Sequence, residues 1–159
     1  MASAMAMILA AFDEAYEKKS WHGTNLRGAL RRVSPDEALW RPDRGRLNIW
    51  ELALHAAYWK YAVRRRLRGD KRGSFPLKGS NFFASPDRAD EGEWRAAQAL
   101  LDAEHRALRE VIAALPAKAL DDKKKRQMLT GIAAHDLYHT GQIQLIRRLH
   151  GARGPRVST

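Results

Sequence analysis

The chain contains no cysteine. Disulfides, cysteine nucleophiles and thiolate metal sites are excluded together. Any metal must then be held by imidazole, carboxylate and water, a donor set that suits zinc, nickel, iron or manganese. No run approaches the ~18 consecutive apolar residues of a membrane span. The apolar opening MASAMAMILAAF has no basic start and runs directly into Asp13 and Glu14, unlike a secretory signal. The expected location is cytoplasmic. Acidic residues are scarce: 18 Asp and Glu stand against 29 Lys and Arg, a formal net charge of +11. The cations gather at Arg64, Arg65, Arg66 and Arg68, at Lys123, Lys124, Lys125 and Arg126, and at Arg147, Arg148, Arg153 and Arg156. Such a balance admits a polyanionic partner. No recognition-helix or RNA-binding motif accompanies it, and the first and third clusters fall where helices should end, a place the helix dipole favours for cations. Nucleic acid is not the expected partner. There is also no internal repeat and no strand-like alternation.

What the sequence does contain is helical periodicity. Its 159 residues, 45% of them apolar, suit one domain with a sizeable core. From Met5 to Val33 one broad stripe runs through Ile8, Phe12, Ala15, Lys19, His22, Leu26 and Leu30. Gly23 interrupts it and Ser34-Pro35 ends it. Asp36–Arg41 suits a short turn. Asn48 then reads as an N-cap with Glu51 completing a capping box, and the helix that follows runs to Arg68 with Gly69 just past its end. Residues 70–90 are a long Gly-, Pro- and Ser-rich connection with Phe75, Phe82 and Phe83 embedded, expected to lie across the end of the bundle. A third helix spans Asp90–Leu115 with Trp94, Ala97, Leu101, His105, Leu108 and Ile112 in line, and a fourth runs from about Lys125 to His150. The pattern predicts an all-α, antiparallel four-helix bundle over residues 1–150, with 151–159 as a tail.

The chemistry concentrates in Ala133–Ile143. His135 and His139 are one helical turn apart, within a stripe of Met128, Ile132, Gln142, Ile146 and Leu149. Burying an unpaired polar group costs on the order of 1–3 kcal/mol, so two imidazoles in an apolar seam need a shared partner. A metal ion is the most economical one, although a hydrogen-bonded core pair remains the alternative. Two ligands are too few for a metal site with an open position, which takes about three. His55, on the apolar stripe of the second helix, is the third candidate imidazole.

The stretch LNIWELALHAAYWKYAVRRRL resembles the second-helix motif of the DinB/YfiT-like superfamily, and AAHDLYHTGQIQLIRRL resembles its fourth-helix motif. Leu39-Trp40-Arg41-Pro42 fits the same pattern. The resemblance implies a four-helix bundle, commonly homodimeric, with a divalent metal held by three histidines. Here those positions are His55, His135 and His139. Some relatives are S-transferases or isomerases that use a low-molecular-weight thiol such as bacillithiol, mycothiol or glutathione. The expected function is therefore a metal-dependent, thiol S-transferase-like or hydrolase-like enzyme acting on a small molecule, with a non-catalytic metal- or ligand-binding bundle as the alternative. Around the triad, His22 is a candidate general base or substrate contact, and Gln142 could hydrogen-bond a ligand or line the pocket. Asp136 either orients a ligand nitrogen or pairs with a cation at the surface. His105 could approach the site from the third helix. Tyr138 and Trp59 read as core or pocket wall.

Overall fold

The computed structural model describes residues 3–152; most of the tail expected at 151–159 lies outside the described residues. Among these there is no strand. The helices are α1 (Ala4–Tyr16), α2 (Leu26–Leu30), α3 (Pro35–Leu39), α4 (Ile49–Arg68), α5 (Glu91–Ala114) and α6 (Lys123–Gly151), with a 3-10 turn at Ala117–Asp121. Four are long, and they pack as a ring: α4 lies against α5 and α6, and α1 closes the ring against the same two.

Interhelical partners give the directions. Trp50 meets Trp94 and Arg64 meets Glu104, so α4 and α5 run parallel. Tyr16 meets Asp102 and Asp13 meets Arg109, so α1 is antiparallel to α5. Trp50 and Leu52 share a core cluster with Ile143 and Ile146, whereas Val63 clusters with Leu129 and Ile132, so α6 is antiparallel to α4. The antiparallel relation holds for α1/α5 and α4/α6. Parallel α4 and α5 need a crossover that returns the chain to its starting end, which explains the long connection between them.

The continuous helix expected over Met5–Val33 does not form. α1 stops at Tyr16. The chain turns through residues 17–25, where Gly23 adopts φ 97°, a backbone region open to glycine and costly for other residues. Asn25 then restarts the helix, its Oδ1 accepting from the Gly28 amide at 2.9 Å. The stripe remains in phase across the break, since Leu26, Ala29 and Leu30 are still buried. Periodicity alone therefore could not reveal it.

The α4 capping box forms as expected, with the Glu51 amide donating to Asn48 Oδ1 and the Asn48 amide to Glu51 Oε2. Arg41 adds a bidentate pair to the Glu51 carboxylate at 2.6 and 2.7 Å, which ties the preceding strap to the helix start. Gly69 ends α4 in the left-handed region at φ 78°. The connection that follows does not cross the bundle end. It folds back along α4: the Tyr61 hydroxyl accepts from the Gly73 and Ser74 amides, Phe75 and Phe83 pack on Tyr58, and Asn48 Nδ2 donates to Ser85 Oγ. Covered by α5, α6 and this segment, α4 is buried on nearly every side over Ile49–Val63.

The core divides into two apolar clusters. One holds Trp50, Leu52, Trp94 and Ile143, and the other Phe12, Leu108, Ile112 and Leu129. Each fully buried large side chain contributes about 1.5–3 kcal/mol. Between them lies a polar layer of Lys60, Asp136 and His105. The basic clusters are partly engaged in helix ends and pairs: Arg64 holds Glu104, Arg68 holds Asp70, Arg126 caps the Asp121 carbonyl and Arg147 holds Glu37. No helix among the described residues is long and apolar enough to cross a membrane.

Candidate metal centre

His55 comes from the middle of α4, and His135 and His139 from successive turns of α6. Their ligand atoms all lie within 4.8 Å of one another. His135 Nε2 is 3.1 Å from His55 Nε2 and 3.1 Å from His139 Nε2. Two nitrogens bound to one tetrahedral zinc at about 2.0–2.1 Å sit roughly 3.3 Å apart, so the spacing fits a shared ion.

The partners on the far side of the rings assign their tautomers. His55 Nδ1 lies 2.8 Å from the Asn81 carbonyl, which can only accept, so Nδ1 carries the hydrogen. His139 Nδ1 lies 2.7 Å from Gln142 Oε1, while Gln142 Nε2 donates to the Tyr138 hydroxyl. The His139 hydrogen is therefore also on Nδ1. Both Nε2 atoms are left as bare lone pairs aimed at His135 Nε2, which has at most one hydrogen to give. His135 Nδ1 is itself buried and has no hydrogen-bond partner among the described residues. In either tautomer of His135 a lone pair faces a lone pair. A cation at the meeting point of the three nitrogens resolves the conflict, and Nδ1 bonds of this kind are how metal-bound imidazoles are usually oriented.

Electrostatics favour the same use. Burial lowers the pKa of all three rings, most at His135, which is pushed down to about 3 with help from its two neighbours, and to about 4 at His139, where the Gln142 bond opposes the shift. All three are neutral at physiological pH, the form that ligates.

The segment 81–82 completes the surroundings. Asn81 holds a left-handed conformation at φ 67°, tolerated by asparagine better than by most residues. Its carbonyl takes the His55 hydrogen and its Oδ1 accepts from Trp59 Nε1 at 2.9 Å. Phe82 stacks on His55 with ring centroids 4.1 Å apart and planes inclined by 9°. Neither residue lay on any periodic stripe. An Asn-Phe pair shortly after Gly79-Ser80, in an aromatic-bearing loop, was the only available signal.

The other expected site residues sort differently. Gln142 lies behind His139 and orients it. Trp59 and Tyr138 flank the histidines edge-on, with ring centroids 6.4 Å from His55 and 5.1 Å from His139 respectively, and Tyr138 is exposed. His22 is not brought to the triad: the break after Tyr16 leaves it exposed in the 17–25 loop, beside Ser20. His105 is not brought there either, because it packs on the α1 side of the bundle between the rings of Phe12 and Tyr16. Asp136 is neither a surface carboxylate nor a partner of a histidine. It is fully buried and pairs with Lys60, which is also 0% exposed. Its neighbours explain this. The buried face of α6 runs through Leu129, Ile132, Asp136, Thr140 and Ile143, turned from the expected stripe so that Asp136 points to the bundle axis and His135 to its margin. Sequence reading passed over Lys60, although Ala53, Ala56, Lys60 and Val63 recur at spacings of three and four.

A bundle of four long helices with three imidazoles from two facing helices defines a helical protein whose histidine cluster could hold a metal ion. A family model described as the DinB superfamily matches residues 20–143, a span that includes all three histidines, and the chain belongs to that superfamily. No curated protein and no solved structure matches the chain.

Proposed function

We propose that the chain is a divalent-metal-dependent enzyme, thiol S-transferase-like or hydrolase-like, whose reaction begins with a thiol or a water activated at the His55–His135–His139 centre. The convergence of three Nε2 atoms, two of them with the hydrogen fixed on the opposite nitrogen, carries this reading. His55, His135 and His139 would hold the ion. A divalent ion on three neutral imidazoles keeps its charge and an open position, and supplies the acidity that turns a bound thiol or water into a nucleophile near neutral pH. The protein's own residues orient and enclose. The Asn81 carbonyl and Gln142 hold two rings in the ligating tautomer. Phe82, Trp59 and Tyr138 present aromatic surface around them, which favours a substrate with an apolar part and limits water. The buried Lys60–Asp136 pair joins α4 to α6 and holds the two ligand-bearing helices in register.

The expected setting is cytoplasmic and the expected assembly a homodimer; the assembly rests on the family resemblance and is read by light scattering. The test of the function has two stages. Elemental mass spectrometry of untagged protein is expected to find one zinc, nickel, iron or manganese ion per chain, lost in His55→Ala and His139→Ala. Turnover is then sought with bacillithiol, mycothiol and glutathione against a panel of electrophiles, and with ester and amide substrates. Metal binding without turnover would assign the bundle to non-catalytic binding, and absence of metal after reconstitution would refute the centre.

A further inference from the structure

A second feature of the molecule lies away from the histidines. Between the end of α1, the 17–25 loop, α2 and the first half of α5 is an open cavity of about 930 Å³. Cavities of about 300–1,000 Å³ are the size that holds small organic ligands. None of its lining residues comes from α4, α6 or the 69–90 connection, so it shares nothing with the candidate metal centre.

Its chemistry is two-sided. The floor includes Leu30, Leu101 and the ring of Tyr16. The two carboxylates in the wall are already satisfied: Glu17 by Arg27 at 2.7 Å, and Asp102 by the Tyr16 hydroxyl and by Arg27 at 3.6 Å. Lys18 is engaged with Asp13. Lys19, Arg31 and Arg32 remain, all lining the cavity, all exposed and without a carboxylate partner among the described residues. Three unpaired cations around a part-apolar cavity attract an anion with an organic body. Arg32 adds a second observation. It sits in the left-handed region at φ 61°, a conformation disfavoured for a non-glycine residue, and outliers of that kind cluster at functional sites. Glycine would turn the chain at that point with less strain, but would remove one of the three charges.

We propose that this cavity binds a phosphorylated small molecule of about nucleotide size, with its phosphates on Lys19, Arg31 and Arg32 and its organic part on the Tyr16–Leu30–Leu101 floor. Trp21, 99% exposed in the same loop between the lining residues Ser20 and Gly23, is the natural reporter of occupancy. The inference does not depend on the histidine centre being catalytic.

The test is calorimetric titration of the full chain with ADP at about 150 mM salt, where long-range attraction is screened beyond ~8 Å. Saturable binding of one ADP per chain, with adenosine not binding, is expected. Arg31→Ala combined with Arg32→Ala is expected to weaken it at least ~10-fold, a loss worth about 1.4 kcal/mol. Lys123→Ala with Lys124→Ala removes the same charge from the far end of the bundle and is expected to leave binding unchanged. Arg32→Gly separates binding from folding: it relieves the left-handed strain, so thermal stability is expected to hold or rise while ADP binding falls. Trp21 fluorescence, identified by its loss in Trp21→Phe, is expected to change on titration. No saturable binding by about 1 mM ADP, an equal loss in the distant lysine pair, or loss of binding in His55→Ala would each overturn the assignment, the last by moving the nucleotide to the metal centre.

Discussion

His105 gives the sharpest physical prediction. Its imidazole is 1% exposed and stacked between Tyr16 at 3.8 Å and Phe12 at 4.4 Å, and neither ring nitrogen has a hydrogen-bond partner among the described residues. Burial first, then the charges of Lys60, Arg109 and Arg106, push its pKa down to about 2 against the single opposing charge of Asp13. In the unfolded chain it titrates near 6.5. The folded pKa is the lower one, so the unfolded chain binds more protons below about pH 6.5, and stability must fall as pH drops through that value. The loss is about 1.4 kcal/mol per pH unit until the folded ring itself protonates, which gives about 2 kcal/mol between pH 7 and pH 5. Any folded pKa below about 4 yields the same figure over that window. His105→Phe keeps a flat ring between Phe12 and Tyr16 but cannot titrate. Urea unfolding of both proteins at several pH values between about 5 and 7 gives a difference in stability from which the other titrating groups cancel. That difference is expected to shift toward the variant by about 2 kcal/mol on acidification. A flat difference would mean that folded His105 takes up a proton near its ordinary pKa, and the buried, unpartnered ring would be refuted.

Other perturbations follow from the same layer and from the proposed metal centre. Lys60→Met strands the Asp136 carboxylate in the core and is expected to cost about 3–5 kcal/mol, whereas Lys60→Met with Asp136→Leu should be close to neutral; additive losses in chemical denaturation would contradict a buried pair. Gln142→Ala frees the His139 ring and is expected to weaken metal affinity about 10–100-fold with little change in thermal stability, as read by competition with a chelating dye. Asn81→Val places a β-branched residue at φ 67° and removes the Trp59 partner, so both thermal stability and metal content are expected to fall; unchanged metal content would show that the loop does not orient His55. Stripping metal with a chelator is expected to lower the thermal midpoint, and restoring about 100 times the dissociation constant of free metal to return about 2.7 kcal/mol.

The helical elements α4, α5 and α6 were legible because each repeats its apolar residues within itself. The capping residues Asn48 and Gly69 were legible because caps act within one turn. The stripe of α5, from Trp94 to Ile112, is buried as its spacing requires. The pairing of His135 with His139 followed from helix geometry, and the choice of His55 from its place on an apolar stripe and from family resemblance. Tertiary structure decided everything that depends on two elements meeting. It broke the first helix after Tyr16 and left His22 outside, although the stripe continued in phase. It turned α6 so that Asp136, not His135, faces the axis, because Lys60 on α4 was there to pair with it. It brought Asn81 and Phe82 back onto His55 from a segment with no periodicity. Local spacing determines which residues share a face of one helix. Which face is buried, and what stands opposite, is set by contacts between residues such as Lys60 and Asp136, or His55 and Asn81, that only packing brings together.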